Sequence, residues 1–165
     1  METSNKDSNA PRRHTFRSGG NSSHYDHEML DLARVTRVVK GGRRFRFRAT
    51  VVIGDRAGKV GFGVGKSKDV QQAIQKAQNA AQKNMITVTL HDGTIKHTTK
   101  AKFKSAIVML KPARQGTGII AGGTVRTVAD LAGIKNLVAK VYGSPNKINN
   151  ARATLKALDA MLVGK

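Results

Sequence analysis

The chain has 165 residues, with 30 lysines and arginines against 10 aspartates and glutamates, so its formal net charge is +20. It has no cysteine, which excludes disulfides and thiolate metal sites, and no apolar run near the ~20 residues of a membrane helix. The first 30 residues also lack the apolar segment of a signal peptide. A net charge of +20 calls for a polyanionic partner, and without a membrane helix or signal peptide a cytosolic nucleic-acid binder fits better than a protein that binds an anionic membrane.

Residues 1–28 are predicted to form a disordered tail, because they are rich in Ser, Asn, His, Arg and Gly and show no apolar periodicity. Residues 1–30 hold four basic and four acidic residues, so the whole +20 lies in residues 31–165. His24 and His27 have a spacing that could bind a metal. We expect no metal site there, since no further ligand stands nearby in the sequence.

Residues 29–84 predict a small α+β domain of three antiparallel strands followed by one helix. Asp31–Val39 is the first strand, Lys40–Arg43 is a hairpin turn, and 44–53 is a second strand with strict alternation. Its predicted buried face is Phe45, Phe47, Ala49, Val51 and Ile53. Lys59–Gly65 is the third strand, and Ser67 or Asp69 can cap a helix that runs to Asn84 with a stripe of small residues suited to a sheet.

The other face of the second strand begins with Arg44, Arg46 and Arg48. Residues two apart on one strand face lie about 7 Å apart, a spacing that suits successive phosphates of a nucleic acid. A solvated outer face is the usual interpretation of such a row, but the surrounding charge favours binding. In the third strand, Gly61 and Gly63 leave the backbone bare for close approach by RNA or by a crossing helix.

The predicted RNA contacts are mostly basic side chains, which would hold phosphates, together with two glycines that shape the hairpin turn. They are Arg37, Lys40, Gly41, Gly42, Arg43, Arg44, Arg46, Arg48, Lys59, Lys66 and Lys68. The chain has only seven aromatic residues, and Phe62 falls with the buried set of its strand. We therefore expect recognition of RNA shape and phosphates rather than base stacking.

Residues 85–165 predict a second α/β unit that carries the remaining half of the charge. The predicted strands are 86–90, 94–99, 103–110 and 137–142, with a turn at His91-Asp92-Gly93. The predicted helices are 124–131, which follows the glycine-rich loop 115–123, and 147–162.

Three motifs suggest an enzyme, and each falls short. GFGVGKS at 61–67 lacks one glycine of a phosphate-binding P-loop, and GTGIIA at 116–121 lacks the acid expected ~20 residues later in a dinucleotide site. His91 and Asp92 could pair as acid and base, but they lie on a predicted turn. We expect no catalytic residue, no cofactor and no metal.

Several long motifs closely resemble the fifth small-subunit ribosomal protein, the bacterial S-five family. They are GRRFRFRATVVIGDRAGKVGFGVGKS at 42–67, GTGIIAGG at 116–123, VRTVADLAGI at 125–134, and the YGS and RAT segments at Tyr142 and Arg152. The resemblance spans residues 32–158 in order and without large gaps.

The resemblance implies an N-terminal domain like a double-stranded-RNA-binding fold and a C-terminal α/β sandwich of the family's own type. It implies a place in the small ribosomal subunit where head meets body, contacts with 16S-type rRNA and with the fourth and eighth small-subunit proteins, and an influence on decoding accuracy. Its members line the channel by which mRNA enters. The loop 36–44 would reach the rRNA helix near the spectinomycin site, and a neighbour-protein contact maps onto 116–126, with Gly116, Thr117, Gly118 and Arg126.

The chain departs from the family pattern at Arg114 and Gln115, where the family usually has a small polar residue and an acid, and at Pro145, which precedes the last helix. Two rival functions remain open. A free-standing double-stranded-RNA binder would explain the first unit without a ribosome. A nucleotide hydrolase would explain the glycine-rich loops.

Overall fold

A computed structural model of the protein describes residues 25–161, and its N-terminal half is a four-stranded antiparallel sheet with one helix. The strands are β1 (Asp26–Val39), β2 (Gly42–Gly54), β3 (Lys59–Ser67) and β4 (Met85–Thr87), in the order β1-β2-β3-β4. Helix α1 (Val70–Lys83) connects β3 to β4. The predicted three strands and helix are therefore present, and the fold class is α+β.

Two boundaries differ from the sequence prediction. Strand β1 begins at Asp26, inside the segment 1–28 predicted as a tail, and β4 adds a fourth strand to the first sheet beyond residue 84. The sequence predicts a strand at 86–90 but assigns it to the second unit, whereas β4 is shorter and pairs with β3, because alternation does not show which sheet a strand joins. Residues 1–24, with most of the predicted tail and His24, lie outside the described residues.

Helix α1 packs on the sheet through the predicted stripe of small residues. Ala73, Ala77 and Ala81 are fully buried and lie over the glycines of β3, whose missing side chains let the helix backbone approach. Asp69 stands at the N-cap, but its side chain accepts no hydrogen bond from the helix, and the Ser67 hydroxyl donates instead to Gln72 Oε1 at 2.9 Å. Of the two partners considered for the bare glycines, the structure shows the crossing helix.

The inner half of β2 is buried on both faces, whereas its alternation predicts one buried face. Ala49, Val51 and Ile53 pack against α1, while Thr50 and Val52, from the opposite set, are also fully buried. The second face is covered by the C-terminal half of the chain. Alternation shows which residues of β2 share a face. Whether the face that begins with arginines is also covered depends on tertiary packing.

The C-terminal half forms a second sheet and two helices. The elements are β5 (Thr99–Phe103), β6 (Ala106–Pro112), β7 (Ile119–Ile120), α2 (Gly123–Leu131), β8 (Leu137–Gly143) and α3 (Lys147–Asp159), with strand order β5-β6-β8-β7. The predicted strand 103–110 is divided by a turn at Lys104, which has φ of +53°. The predicted strand 94–99 is wrong, because Thr94 forms only an isolated bridge with His91 around the predicted turn and the next strand begins at Thr99.

One hydrophobic core runs through both halves of the chain. Val52, Val60 and Phe62 of the first sheet belong to the same buried cluster as Leu110 and Val128 of the second half. The two predicted domains therefore share one hydrophobic core, which fixes the position of the first sheet relative to the second half.

The turn between β2 and β3 closes this junction by capping helix α2. The main-chain amides of Arg56 and Gly58 donate to the carbonyls of Leu131 and Ala132, each at 3.0 Å. These carbonyls end a helix and have no intrahelical partner of their own. A Cβ at Gly133 would collide with the main chain of Arg56, so the approach requires glycine there.

Candidate nucleic-acid interface

Strands β1 and β2 extend beyond the rest of the first sheet as a two-stranded ribbon. The last pair between β2 and β3 joins Phe47 to Ser67, yet β1 and β2 stay paired as far as Val39 and Gly42. We call residues 35–46 the arm. Its turn contains Lys40 and Gly41, and Gly42 has φ of +129°, which favours glycine. All but two of its residues, Val35 and Val39, are exposed.

The register places five of the predicted cations on one face of the first sheet, along the arm and at its base. Residues directly opposite each other in an antiparallel ladder share a face, and Arg37 lies opposite Arg44 while Lys66 lies opposite Arg48. We call this set the basic row: Arg37, Arg44, Arg46, Arg48 and Lys66. Successive members along β2 stand about 7 Å apart, as the sequence predicts.

The arm has little internal neutralisation. Residues 34–48 contain seven basic residues and no acid. Within residues 25–161, the ion pairs include one at the base of the arm, where Arg48 Nη2 lies 3.7 Å from Asp31 Oδ2, and none that involves a residue of the arm itself. The outer guanidinium groups are thus available to an external anion.

The opposite face of the arm holds the main departure from the predicted burial. Phe45 is predicted as buried, but it is 45% exposed and the Arg34 guanidinium lies 3.7 Å from its ring centroid. The reason is the extent of the buried cluster between β2 and α1, which includes Phe47 at its margin but does not reach Phe45, since α1 begins only at Val70. Sequence alternation gives no signal for where a covering helix starts.

The remaining predicted contacts lie at three places. Gly41 and Arg43 are exposed in and beside the arm turn, and Lys68 is exposed just before α1, close in sequence to Lys66. Lys59 begins β3 and pairs with Thr87. It is seven residues from Lys66 along the strand, about 23 Å, so the structure does not bring Lys59 to the arm.

The loop predicted to contact a neighbouring protein lies in the second half. Gly116 and Gly118 have φ of +86° and +71°, and the amide of Gly118 donates to Asn136 Oδ1 at 3.1 Å. The Arg126 guanidinium donates from Nη2 to the carbonyl of Ile119 at 3.1 Å. Thr117 is exposed, as are Arg114 and Gln115, which depart from the family pattern. The loop is therefore anchored at its base and open at its tip.

The geometry does not support an enzyme site within the described part of the chain. The glycines of GFGVGKS lie in β3 and face α1, so they form no phosphate-binding loop. His91 and Asp92 are exposed on a turn, and residues 25–161 contain no cluster of three metal-ligating side chains. Among the same residues, no helix has both the length and the apolar character needed to cross a bilayer.

Comparisons with known proteins cover both halves of the chain. Residues 25–89 match the family described as ribosomal protein S5, N-terminal domain, and residues 101–162 match ribosomal protein S5, C-terminal domain. The chain is 54% identical over 134 residues to a protein from Hahella chejuensis named small ribosomal subunit protein uS5, covering 81% of this chain and 80% of that relative.

Two further relatives carry the same name. A protein from Campylobacter jejuni is 49% identical over 144 residues, covering 87% of this chain and 97% of the relative. One from Pseudoalteromonas translucida is 50% identical over 134 residues, covering 81% and 80%. The similarity therefore spans most of the described residues and both sheets.

Proposed function

The chain belongs to the ribosomal protein S5 family and is a structural, non-enzymatic protein of the small ribosomal subunit, and we propose that it binds 16S-type rRNA through its arm. The small subunit is cytoplasmic in bacteria. The proposal places the arm on rRNA at the junction of head and body, as the family resemblance implies.

The observation that carries the proposal is the basic row on an arm without carboxylates. Phosphate contacts dominate the affinity of most RNA interfaces and require no sequence reading. Arginine suits this role because its planar guanidinium can donate two parallel hydrogen bonds to one phosphate. A ribbon that protrudes from a packed body can also enter a groove that the body itself cannot reach.

We propose in addition that the loop 116–126 contacts neighbouring proteins, the fourth and eighth of the small subunit, and that the chain lines the channel by which mRNA enters. The exposed tip of this loop and its anchored base support a docking role. Through these contacts the protein would influence decoding accuracy. Arg114 and Gln115 lie beside the loop, so the details of the contact would differ from those of relatives that carry an acid there.

The test of RNA binding is the salt dependence of affinity for a blunt RNA hairpin of about 16 base pairs, roughly the span of a double-stranded-RNA-binding domain. Arg37→Gln and Arg44→Gln should each reduce the slope of log K against log salt by about 1. Lys156→Gln is the matched control, since it removes one exposed cation on α3, outside the arm and the basic row. Equal slopes for all three variants would contradict the role of the arm.

The ribosomal setting is tested separately from the arm. A tagged copy in its native cells should co-migrate with small subunits and whole ribosomes in sucrose gradients at low and high salt. Recovery only in the soluble top fractions, with ribosomes intact, would favour the free-standing double-stranded-RNA binder instead.

A further inference from the structure

The face of the arm opposite the basic row carries an exposed aromatic ring with a guanidinium stacked on it. Phe45 is 45% exposed, and Arg34 Cζ lies 3.7 Å from its ring centroid. The next ring inward, Phe47, is half-buried and packs with the cluster under α1. Phe45 is therefore a large apolar surface that neither α1 nor the second half covers.

The pairing with Arg34 does not remove this surface from water. A guanidinium covers one face of a ring, and a cation–π contact at an exposed site stabilises by only about 0.5–1 kcal/mol. Aromatic rings and arginine planes that stay exposed in this way are the surfaces on which unpaired RNA bases stack. Arg34 holds the Phe45 ring in one orientation, so little side-chain entropy is left to lose when a base binds.

The neighbours of Phe45 on this face suit a nucleotide rather than a protein side chain. Arg43 shares the face, two residues along β2 and about 7 Å away, where it can reach the phosphate of a stacked nucleotide. Val38 lies opposite Arg43 and is 74% exposed, which extends the apolar surface toward the turn. With seven basic residues and no acid in 34–48, the surface repels most cationic partners and favours a polyanion.

We propose that Phe45, stacked on Arg34, is a binding site for one unpaired RNA base that projects from a helix. The proposal rests on the proposed function, since the basic row would hold the phosphates of the helix while the ring takes the base. The arm would then read two features at once: the RNA backbone on one face and an extruded base on the other. This differs from the sequence expectation, which considered stacking only at Phe62.

The test compares two RNA hairpins of about 16 base pairs, one with a single bulged 2-aminopurine and one with the bulge deleted, bound to the full chain. Wild type should bind the bulged hairpin more tightly and change the 2-aminopurine fluorescence. Phe45→Leu should lose about tenfold of that preference, or about 1.4 kcal/mol, within the range measured for base–aromatic stacking. Phe45→Trp should retain it.

Three outcomes separate the alternatives. If Phe45→Leu weakens both hairpins equally, the ring only stiffens the arm and the stacking proposal is wrong. If wild type binds both hairpins equally with the expected salt slope, the proposed phosphate contact stands and the stacking site falls. If wild type binds neither, both fail. Leu32→Ala is the control, since Leu32 is an exposed apolar residue on the same face of β1, outside the arm, and should leave the preference unchanged.

Discussion

Replacing Gly63 by alanine should strongly destabilise the protein, because β3 and α1 touch backbone to backbone there. An added Cβ would lie 2.5 Å from the amide nitrogen of Ala81 and closer still to the carbonyl oxygen of Ala77. Ordinary contact begins near 3.4 Å, so α1 would have to retreat by more than about 0.9 Å, because the carbonyl oxygen is the nearer of the two atoms. Neither obstacle is a flexible side chain, and neither can rotate away.

The magnitude follows from what that retreat would cost. A gap of 0.5–1 Å forfeits roughly a quarter to a half of the van der Waals attraction across an interface, and Ala73, Ala77 and Ala81 are all fully buried in it. Overpacking typically costs about 1–3 kcal/mol. Because the clash is with main chain, we expect a loss of about 3 kcal/mol for Gly63→Ala. In a chain of this size that corresponds to a fall in Tm of about 6–12 °C.

Urea unfolding followed by circular dichroism would measure this loss, with Gly41→Ala as the matched control. A Cβ at Gly41 meets nothing within 4 Å, so the control makes the same chemical change in open space, in the turn between β1 and β2. We expect the control to lie within about 0.5 kcal/mol of wild type. If Gly63→Ala were as stable as Gly41→Ala, the close packing of α1 on β3 would be wrong.

Two further predictions concern the junction between the halves. Gly133→Ala should lower the free energy of unfolding by more than about 2 kcal/mol, since Gly133 has φ of +84° and a Cβ would strike the main chain of Arg56. Urea unfolding should show a single transition at a lower midpoint. An unchanged midpoint would contradict the close approach of Gly133 to Arg56. Asp31→Asn should cost less than about 1 kcal/mol, because Asp31 pairs with Arg48 and Lys147 at 3.7 and 3.2 Å while its side chain stays 30% exposed. A double-mutant cycle with Lys147→Met measures the coupling, and a value above about 2 kcal/mol would refute the estimate for a solvent-screened pair.

The parts of the fold that the sequence predicts best are those where local pattern and tertiary packing agree. The alternation in β2 predicts the strand and the row of arginines, and the small-residue stripe of α1 predicts its contact face. The glycine pair at 41–42 predicts the turn. In each case a period of two or 3.6, or a residue with special backbone freedom, acts within one element.

The misses arise where burial is decided by distant parts of the chain. Phe45 and Phe47 have the same place in the alternation, but only Phe47 lies under α1, because the helix begins at Val70. The turn at Lys104 divides one predicted strand, and β4, which overlaps the strand predicted at 86–90 in the second unit, joins the first sheet instead. To predict that Phe45 is exposed, one would have to know which residue of β2 lies under the first residue of α1. No sequence pattern relates these two positions.

The exposed position of the arm follows from how unequally β2 is covered. Its inner half lies between α1 on one face and the shared core on the other, which fixes the register of the whole strand. A two-stranded ribbon alone is marginally stable, so the outer half stays paired because the inner half is clamped. Arg37 and Arg44, directly opposite each other, repel across the ribbon. A phosphate between them would relieve that repulsion, so binding of RNA and ordering of the arm should favour each other.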